Sequence, residues 1–150
     1  MQPLNYRSKG GNITDNILLG ITLFVLSVQD IKHKSLGAAS LLIFFTASLV
    51  NGIITDKFTA ADMISGIIFV SLLGAVSIVT KCIGMGDVAV SAIIVCLKGT
   101  IFSISVFTFA MTLLGIFNSV RIIGGRLSKK YTAPFVPYMG ICAAGIMLFA

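Results

Sequence analysis

The sequence predicts an all-α integral membrane protein, a polytopic bundle of about six transmembrane helices. Of its 150 residues, 57% are hydrophobic and 11% are charged, and the mean hydropathy is +1.05. Soluble domains carry about 25% charged residues. The apolar residues fall in six runs without the alternation of a transmembrane barrel. Because only helices and closed barrels span lipid, we expect each run to be a helix.

The runs follow a polar tail at residues 1–16, and residues 17–150 are predicted to form a single membrane domain. The first and fourth runs are shorter than the ~20 residues that a span needs. We therefore expect the first helix to reach from Ile13 through Asp30 and the fourth to begin near Gly84 or Asp87. In order, the runs are Ile17–Val28, Leu36–Ile54 (interrupted near its end by Asn51-Gly52), Met63–Thr80, Val88–Leu97, Thr100–Ile123 and Pro134–Ala150.

The first run could be mistaken for a signal peptide, because it is short and follows Arg7 and Lys9. A small-residue cleavage site would then be expected after it. The chain instead continues as Gln29-Asp30-Ile31-Lys32, so the run is interpreted as a membrane span.

Six alternating spans place the end of the first run, the start of the fourth and the segment 121–133 on one side of the membrane. This side has seven Lys and Arg residues and the other has four. Since positive charge marks the cytoplasmic side, Asp30 and Asp87 are predicted to face the cytoplasm at the cell membrane. The seven are Lys32, Lys34, Lys81, Arg121, Arg126, Lys129 and Lys130; the four are Arg7, Lys9, Lys57 and Lys98.

All five acidic residues are aspartates, and two of them suggest chemistry. Gly84-Met85-Gly86-Asp87 places a carboxylate beside glycines, where a backbone can approach closely. Asp30 ends the first run, where a helix C-terminus disfavours a carboxylate. Charges near the membrane core are costly and mark functional sites by default. Two adjacent carboxylates share one proton, as in an aspartic protease, and need no metal or other cofactor.

Each aspartate also has a structural interpretation. Asp87 could cap the fourth helix, and Asp30 could be an interfacial charge paired with a lysine. Asp15 could cap the first helix, and Asp56 lies next to Lys57 in a loop. Asp62 stands at capping-box spacing from Thr59.

Other chemistries find less support in the sequence. Cys82, Cys96 and Cys142 form no C-x-x-C pair, so a zinc site is not predicted. His33 is the single histidine and stands among lysines, which suits a contact with lipid headgroups. No clustered basic face indicates a nucleic-acid partner.

These residues resemble the type IV prepilin peptidase family, in the short form shared with tight-adherence pilus peptidases and archaeal preflagellin peptidases. Three motifs carry the resemblance over residues 17–150: Asp30-Ile31-Lys32 at a helix end, the G-x-G-D motif at 84–87, and Pro134-Phe135-Val136-Pro137-Tyr138 before the last helix. The resemblance implies an aspartyl endopeptidase with catalytic Asp30 and Asp87. The site would be shaped by Gly84, Met85, Gly86, Pro134, Phe135 and Pro137.

The resemblance also implies a substrate, a prepilin or pilin-like precursor that loses a short basic leader at the cytoplasmic membrane face. Two departures are visible. The family's first motif continues into Ile-Pro-Asn, where this chain has His33-Lys34-Ser35-Leu36, and Ala89 stands where a lysine is common. The cysteine-containing region linked to N-methylation is absent from the sequence, so no methyltransferase activity is implied.

Two other functions remain open at this point. A small transporter or channel subunit would use buried carboxylates near the membrane midplane. A catalytically inactive relative or an assembly protein would keep the fold without the chemistry. The larger presenilin-type proteases also use G-x-G-D, but they have more spans and a different first motif. The oligomeric state is not predicted.

Overall fold

The computed structural model of this chain describes residues 13–33, 37–55, 59–80, 83–124 and 134–149. These residues form a bundle of six helices and include no strand, as the sequence predicts. The predictions for the tail 1–12, for Lys34–Leu36, Asp56 and Cys82, and for the side chain of His33 fall outside this description. The helices are α1 Ile13–His33, α2 Ala38–Ile54, α3 Ala60–Thr80, α4 Met85–Lys98, α5 Thr100–Ile123 and α6 Val136–Phe149.

Three of the described helices are long and apolar enough to cross a membrane: α1 over Ile13–Lys32, α3 over Ala60–Val79 and α5 over Thr100–Arg121. The other three are shorter, with 17 residues in α2 and 14 each in α4 and α6. A 14-residue helix is about 21 Å long, against a hydrocarbon core of about 30 Å. The expected length of about 20 residues is therefore wrong for these three helices, and the count of six spans stays a prediction.

Helix α4 is the central element of the bundle. It packs against α1, α2, α3 and α5, while α6 packs between α1 and α5. Most of its length is enclosed, although its ends and one face are partly exposed. Its buried residues are Val88, Val90, Ser91, Ile93, Ile94 and Leu97. The G-x-G-D motif at the N-terminus of α4 is therefore placed among the helices that surround α4.

The outer faces of the bundle are apolar. Large hydrophobic side chains are exposed along α1, α2, α3, α5 and α6, and Val79, Ile101 and Ile123 are each more than 80% exposed. Water would penalise so large an apolar surface, whereas lipid would not. The distribution is compatible with a membrane protein.

Two glycines have clear structural reasons. Gly66 lets α3 approach α4 closely, because a Cβ atom there would lie 2.7 Å from Cγ1 of Val95. Gly99 joins α4 to α5 with φ of 89°, a left-handed conformation that favours glycine. Its N–H donates to the carbonyl of Val95 at 2.8 Å and closes α4.

Two local predictions can be compared directly with the structure. Asn51-Gly52 does not interrupt the second helix, since α2 continues through both residues to Ile54 and Gly52 is buried against its neighbours. The Thr59 cap is present, because the N–H of Asp62 donates to Oγ1 of Thr59 at 3.2 Å. The Asp62 carboxylate accepts from the Thr59 hydroxyl at 2.6 Å.

Candidate functional site: two aspartates at one end of the bundle

Asp30 lies near the C-terminus of α1 and is bound to the start of α6. Its Oδ2 accepts a hydrogen bond from the backbone N–H of Val136 at 3.2 Å. The N–H of Phe135 also interacts favourably with this carboxylate. Asp30 is partly exposed. The first and third motifs of the sequence therefore meet in space.

This contact explains how a carboxylate is accommodated at the end of α1. The C-terminus of its own helix repels negative charge, whereas the N-terminus of α6 attracts it. Val136 is the first residue of α6, and its N–H has no acceptor within its own helix. Because Pro137 follows and lacks an N–H, the free donors at the start of α6 are those of Phe135 and Val136. Asp30 thus has backbone partners that its position in the sequence did not indicate.

Asp87 lies in the first turn of α4 and its side chain folds back onto the preceding turn. Its Oδ2 accepts from the backbone N–H of Gly84 at 3.2 Å. Gly84 is the N-cap residue, with extended φ of −70° and ψ of 143°. The prediction that α4 begins near these residues is confirmed, but the proposed cap residue was wrong. Asp87 is the third helical residue and closes the turn through its carboxylate.

The glycine at position 84 is explained by space, because its backbone angles are ordinary. A Cβ atom there would lie 3.2 Å from Oδ2 of Asp87, which is closer than most such contacts. The absence of a side chain lets the carboxylate reach the Gly84 N–H. The expectation that another backbone can approach the carboxylate beside these glycines stays a prediction.

Hydroxyl groups hold the segment around Asp87 in place. Oγ of Ser77, near the end of α3, donates to the carbonyl of Ile83 at 2.7 Å. Oγ of Ser91 donates to the carbonyl of Asp87 at 2.9 Å, and Oγ of Ser103 on α5 donates to the carbonyl of Ser91 at 3.1 Å. These contacts link α3, α4 and α5 at the G-x-G-D turn.

The two carboxylates interact electrostatically. Asp87 lies outside the three candidate spans, and burial raises the pKa of its carboxyl from 3.8 to about 6. The Gly84 N–H opposes this rise in the pKa by stabilising the charged form, whereas the negative charge of Asp30 adds to it. The candidate site therefore consists of two carboxylates that interact electrostatically, at the ends of α1 and α4, with the start of α6 bound to Asp30.

The remaining predicted site residues surround this end of the bundle. Phe135 is buried and packs edge-to-face against Phe107 of α5, with ring centroids 5.6 Å apart. Pro134 and Pro137 flank the backbone donors and are partly exposed. Met85 is 63% exposed on the first turn of α4, and Gly86 is partly buried next to Asp87.

The opposite end of the bundle contains a second polar group that the sequence did not reveal. Asp15 is fully buried, and its Oδ1 accepts from Nδ2 of Asn51 at 2.7 Å. Lys98 at the end of α4 donates to Oδ1 of Asn16. Asp15 therefore makes a contact between α1 and α2 that the sequence did not indicate, and the cap predicted for it stays a prediction. The signal was available in Asn51, a polar residue within an apolar run.

The described residues contain no candidate metal site, because no three or more His, Cys, Asp or Glu among them are grouped so that they could hold an ion. Cys96 and Cys142 are free and partly buried. The expectation that no cofactor is used stays a prediction.

Comparisons with models of known protein families, with curated proteins and with solved structures found no match.

Proposed function

We propose that this protein is an intramembrane aspartyl endopeptidase in which Asp30 and Asp87 form the catalytic pair. The observation that carries the proposal is that two carboxylates from distant parts of the sequence lie at helix ends of a membrane-type bundle, close enough for the charge of Asp30 to act on Asp87. Each carboxylate is also oriented by a backbone N–H.

This arrangement supplies the groups that peptide hydrolysis needs. One carboxylate takes a proton from water, and the other, protonated, gives its proton to the oxygen of the scissile carbonyl. A carboxyl group with a pKa of about 6, as at Asp87, can hold a proton close to neutral pH. Neither step requires a metal.

The proposed substrate is a prepilin or pilin-like precursor with a short basic leader followed by an apolar helix. The sequence resemblance supports this substrate class, as does the place of both aspartates at helix ends. A leader that remains in the aqueous phase would reach such an end while its apolar helix stays in lipid. The excess of Lys and Arg on this side supports a cytoplasmic location at the cell membrane.

A cleavage assay in membranes tests the proposal. The chain is expressed together with a prepilin-like substrate that has Gly before the cut, and the products are identified by mass. Shortening of the substrate by its leader is the expected result. Intact substrate across several pilin-like candidates would contradict the proposal.

A measurement of ion flux in the same membranes distinguishes a transporter or channel subunit from a peptidase. If the carboxylates serve transport, vesicles that contain the chain should pass protons or cations down an imposed gradient and leave the substrate intact. If the proposal is correct, substrate is cleaved without such a flux.

A further inference from the structure

We infer that the two aspartates have fixed and different roles: the start of α6 keeps Asp30 ionised as the base that activates water, and Asp87 carries the shared proton. This inference rests on the proposed function, because the roles of base and proton donor refer to peptide cleavage. The location of the proton can be measured whether or not the protein cleaves a substrate.

Two backbone donors beside Asp30 favour its charged form and oppose the effect of burial. Val136 donates its backbone N–H to Oδ2 at 3.2 Å, and the Phe135 N–H interacts with the same carboxylate. Hydrogen bonds donated to an ionised carboxylate stabilise that form. Val136 is the first residue of a 14-residue helix and Phe135 directly precedes it, so the helix dipole also favours a negative charge there.

The surroundings of Asp87 favour its neutral form. Its described backbone partner is the single N–H of Gly84, and burial disfavours the charged carboxylate. The negative charge of Asp30 acts in the same direction. The resulting pKa of about 6 agrees with the geometry, which places the charge on Asp30 and the proton on Asp87.

Few other charges face this pair in the described structure. Lys32 is exposed on α1, and Arg121 lies near the end of α5, which packs against α6. The described residues of α2 and α6 include no Asp, Glu, Lys or Arg. The negative charge of Asp30 acts on Asp87.

The assigned roles give a balanced reaction. Asp30 takes a proton from water as the water oxygen bonds to the carbonyl carbon, and Asp87 gives its proton to the carbonyl oxygen. In the second step Asp30 returns its proton to the leaving nitrogen as the C–N bond breaks, and Asp87 recovers a proton from a hydroxyl of the intermediate. The pair ends in its starting state.

Infrared spectroscopy of the purified protein in detergent tests where the proton lies, through the C=O stretching band of a protonated carboxyl group. Spectra are recorded at a pH just below 6, the approximate pKa of Asp87. We expect the band to be lost in Asp87→Asn and to remain in Asp30→Asn. An Asp15→Asn spectrum identifies any contribution from the other buried aspartate.

The opposite pattern, with the band lost in Asp30→Asn and kept in Asp87→Asn, would overturn the inference. Equal partial loss in both variants would also overturn it, because the proton would then be shared evenly. Since the readout does not depend on cleavage, a protein that fails to cut any pilin-like substrate could still show the proton on Asp87. Failure of the proposed function is thereby distinguished from failure of this inference.

The role of α6 is tested by Val136→Pro, which removes the N–H that binds Asp30. Proline is well tolerated as the first residue of a helix, and Val136 occupies that position. Val136→Ala is the matched control, because it shortens the same buried side chain but keeps the donor. We expect Val136→Pro, and not Val136→Ala, to increase the protonated band through Asp30.

Asp30→Asn in the Val136→Pro background should remove that increase. A spectrum of Val136→Pro identical to that of Val136→Ala would show that α6 does not set the charge on Asp30. If Val136→Pro does not fold, the comparison of Asp30→Asn with Asp87→Asn still decides where the proton lies.

Discussion

Asp30 and Asp87 each accept a backbone hydrogen bond, but the two bonds connect different parts of the molecule. The bond from Gly84 to Asp87 closes the first turn of α4 and spans three residues. The bond from Val136 to Asp30 joins α1 to α6 across 106 residues of sequence. Asp87 is therefore placed by its own helix, whereas Asp30 depends on how the bundle assembles.

Gly84→Ala tests the local placement of Asp87. The added Cβ would lie 3.2 Å from Oδ2 of Asp87, so the carboxylate must move by a few tenths of an ångström. We expect cleavage to fall roughly tenfold, since small displacements of catalytic groups are costly. The control is Gly115→Ala on α5, where an added Cβ meets nothing within 4 Å. Equal activity of the two variants would contradict a steric role for Gly84.

The pH dependence of cleavage tests the proton on Asp87. Its pKa of about 6 means that the proton is present below this pH and is lost as the pH rises through it. Because the neutral form is the proton donor, we expect the rate to decline on the alkaline side of this value. Initial rates measured across the range provide the test, and a rate that increases steadily through it would contradict the assigned donor.

At the scale of helices, the contact between α3 and α4 positions the G-x-G-D turn. Gly66 lies against Val95, and Ser77, farther along α3, binds the carbonyl that precedes Gly84. Displacement of α3 from α4 would therefore also disturb the turn that contains Asp87.

Gly66→Ala is expected to destabilise this contact. The new Cβ would lie 2.7 Å from Cγ1 of Val95, and a β-branched side chain has few alternative rotamers. Overpacking of this kind costs about 1–3 kcal/mol. Gly74→Ala in the same helix is the control, because its Cβ would meet nothing within 4 Å. Thermal unfolding in detergent should show Gly66→Ala as the less stable variant; the reverse order would contradict the close contact.

The helices could be predicted from the sequence because apolar runs and their polar boundaries are local signals. Thr100–Ile123 has the predicted bounds, and α1 extends to Ile13 and past Asp30 as expected. The lengths of α2, α4 and α6 were overestimated, because each was expected to cross the bilayer unaided. Helix packing can enclose a short helix such as α4, and a rule based on span length does not anticipate this.

The site was only partly predictable for a similar reason. The two aspartates stand out because carboxylates are rare in this sequence. The partners of Asp30 are backbone N–H groups of Phe135 and Val136, which no side-chain pattern identifies. The contact between Asp15 and Asn51 likewise depends on α1 packing beside α2.

At the scale of the whole molecule, the aspartates and the Asp15–Asn51 contact occupy opposite ends of the bundle. Asp30 is near the end of α1, and Asp15 is in its first turn. If α1 crosses the membrane, the two groups lie toward different faces. The proposed chemistry is thus confined to one face, whereas a transport site would be expected near the midplane.

The location of the chain ends tests the six-span arrangement. An even number of crossings places both ends on one side, and the charge distribution predicts that this is the side away from the cytoplasm. Reporter tags at residues 1 and 150, read by protease access in intact and opened cells, give the answer. Tags on opposite sides would require an odd number of crossings and would contradict six spans.

The central claim is that Asp30 and Asp87 together cleave a pilin-like precursor. The most direct test is the mass of the products when the purified chain is reconstituted in liposomes with such a substrate. We predict a single cut after the Gly that precedes the apolar helix. Either Asp30→Asn or Asp87→Asn should lower its rate by about 10²–10⁴-fold, whereas Asp62→Asn, at the exposed Thr59 cap, should not. Cleavage that persists in either dyad variant, or no cleavage by the unmodified chain, would contradict the account.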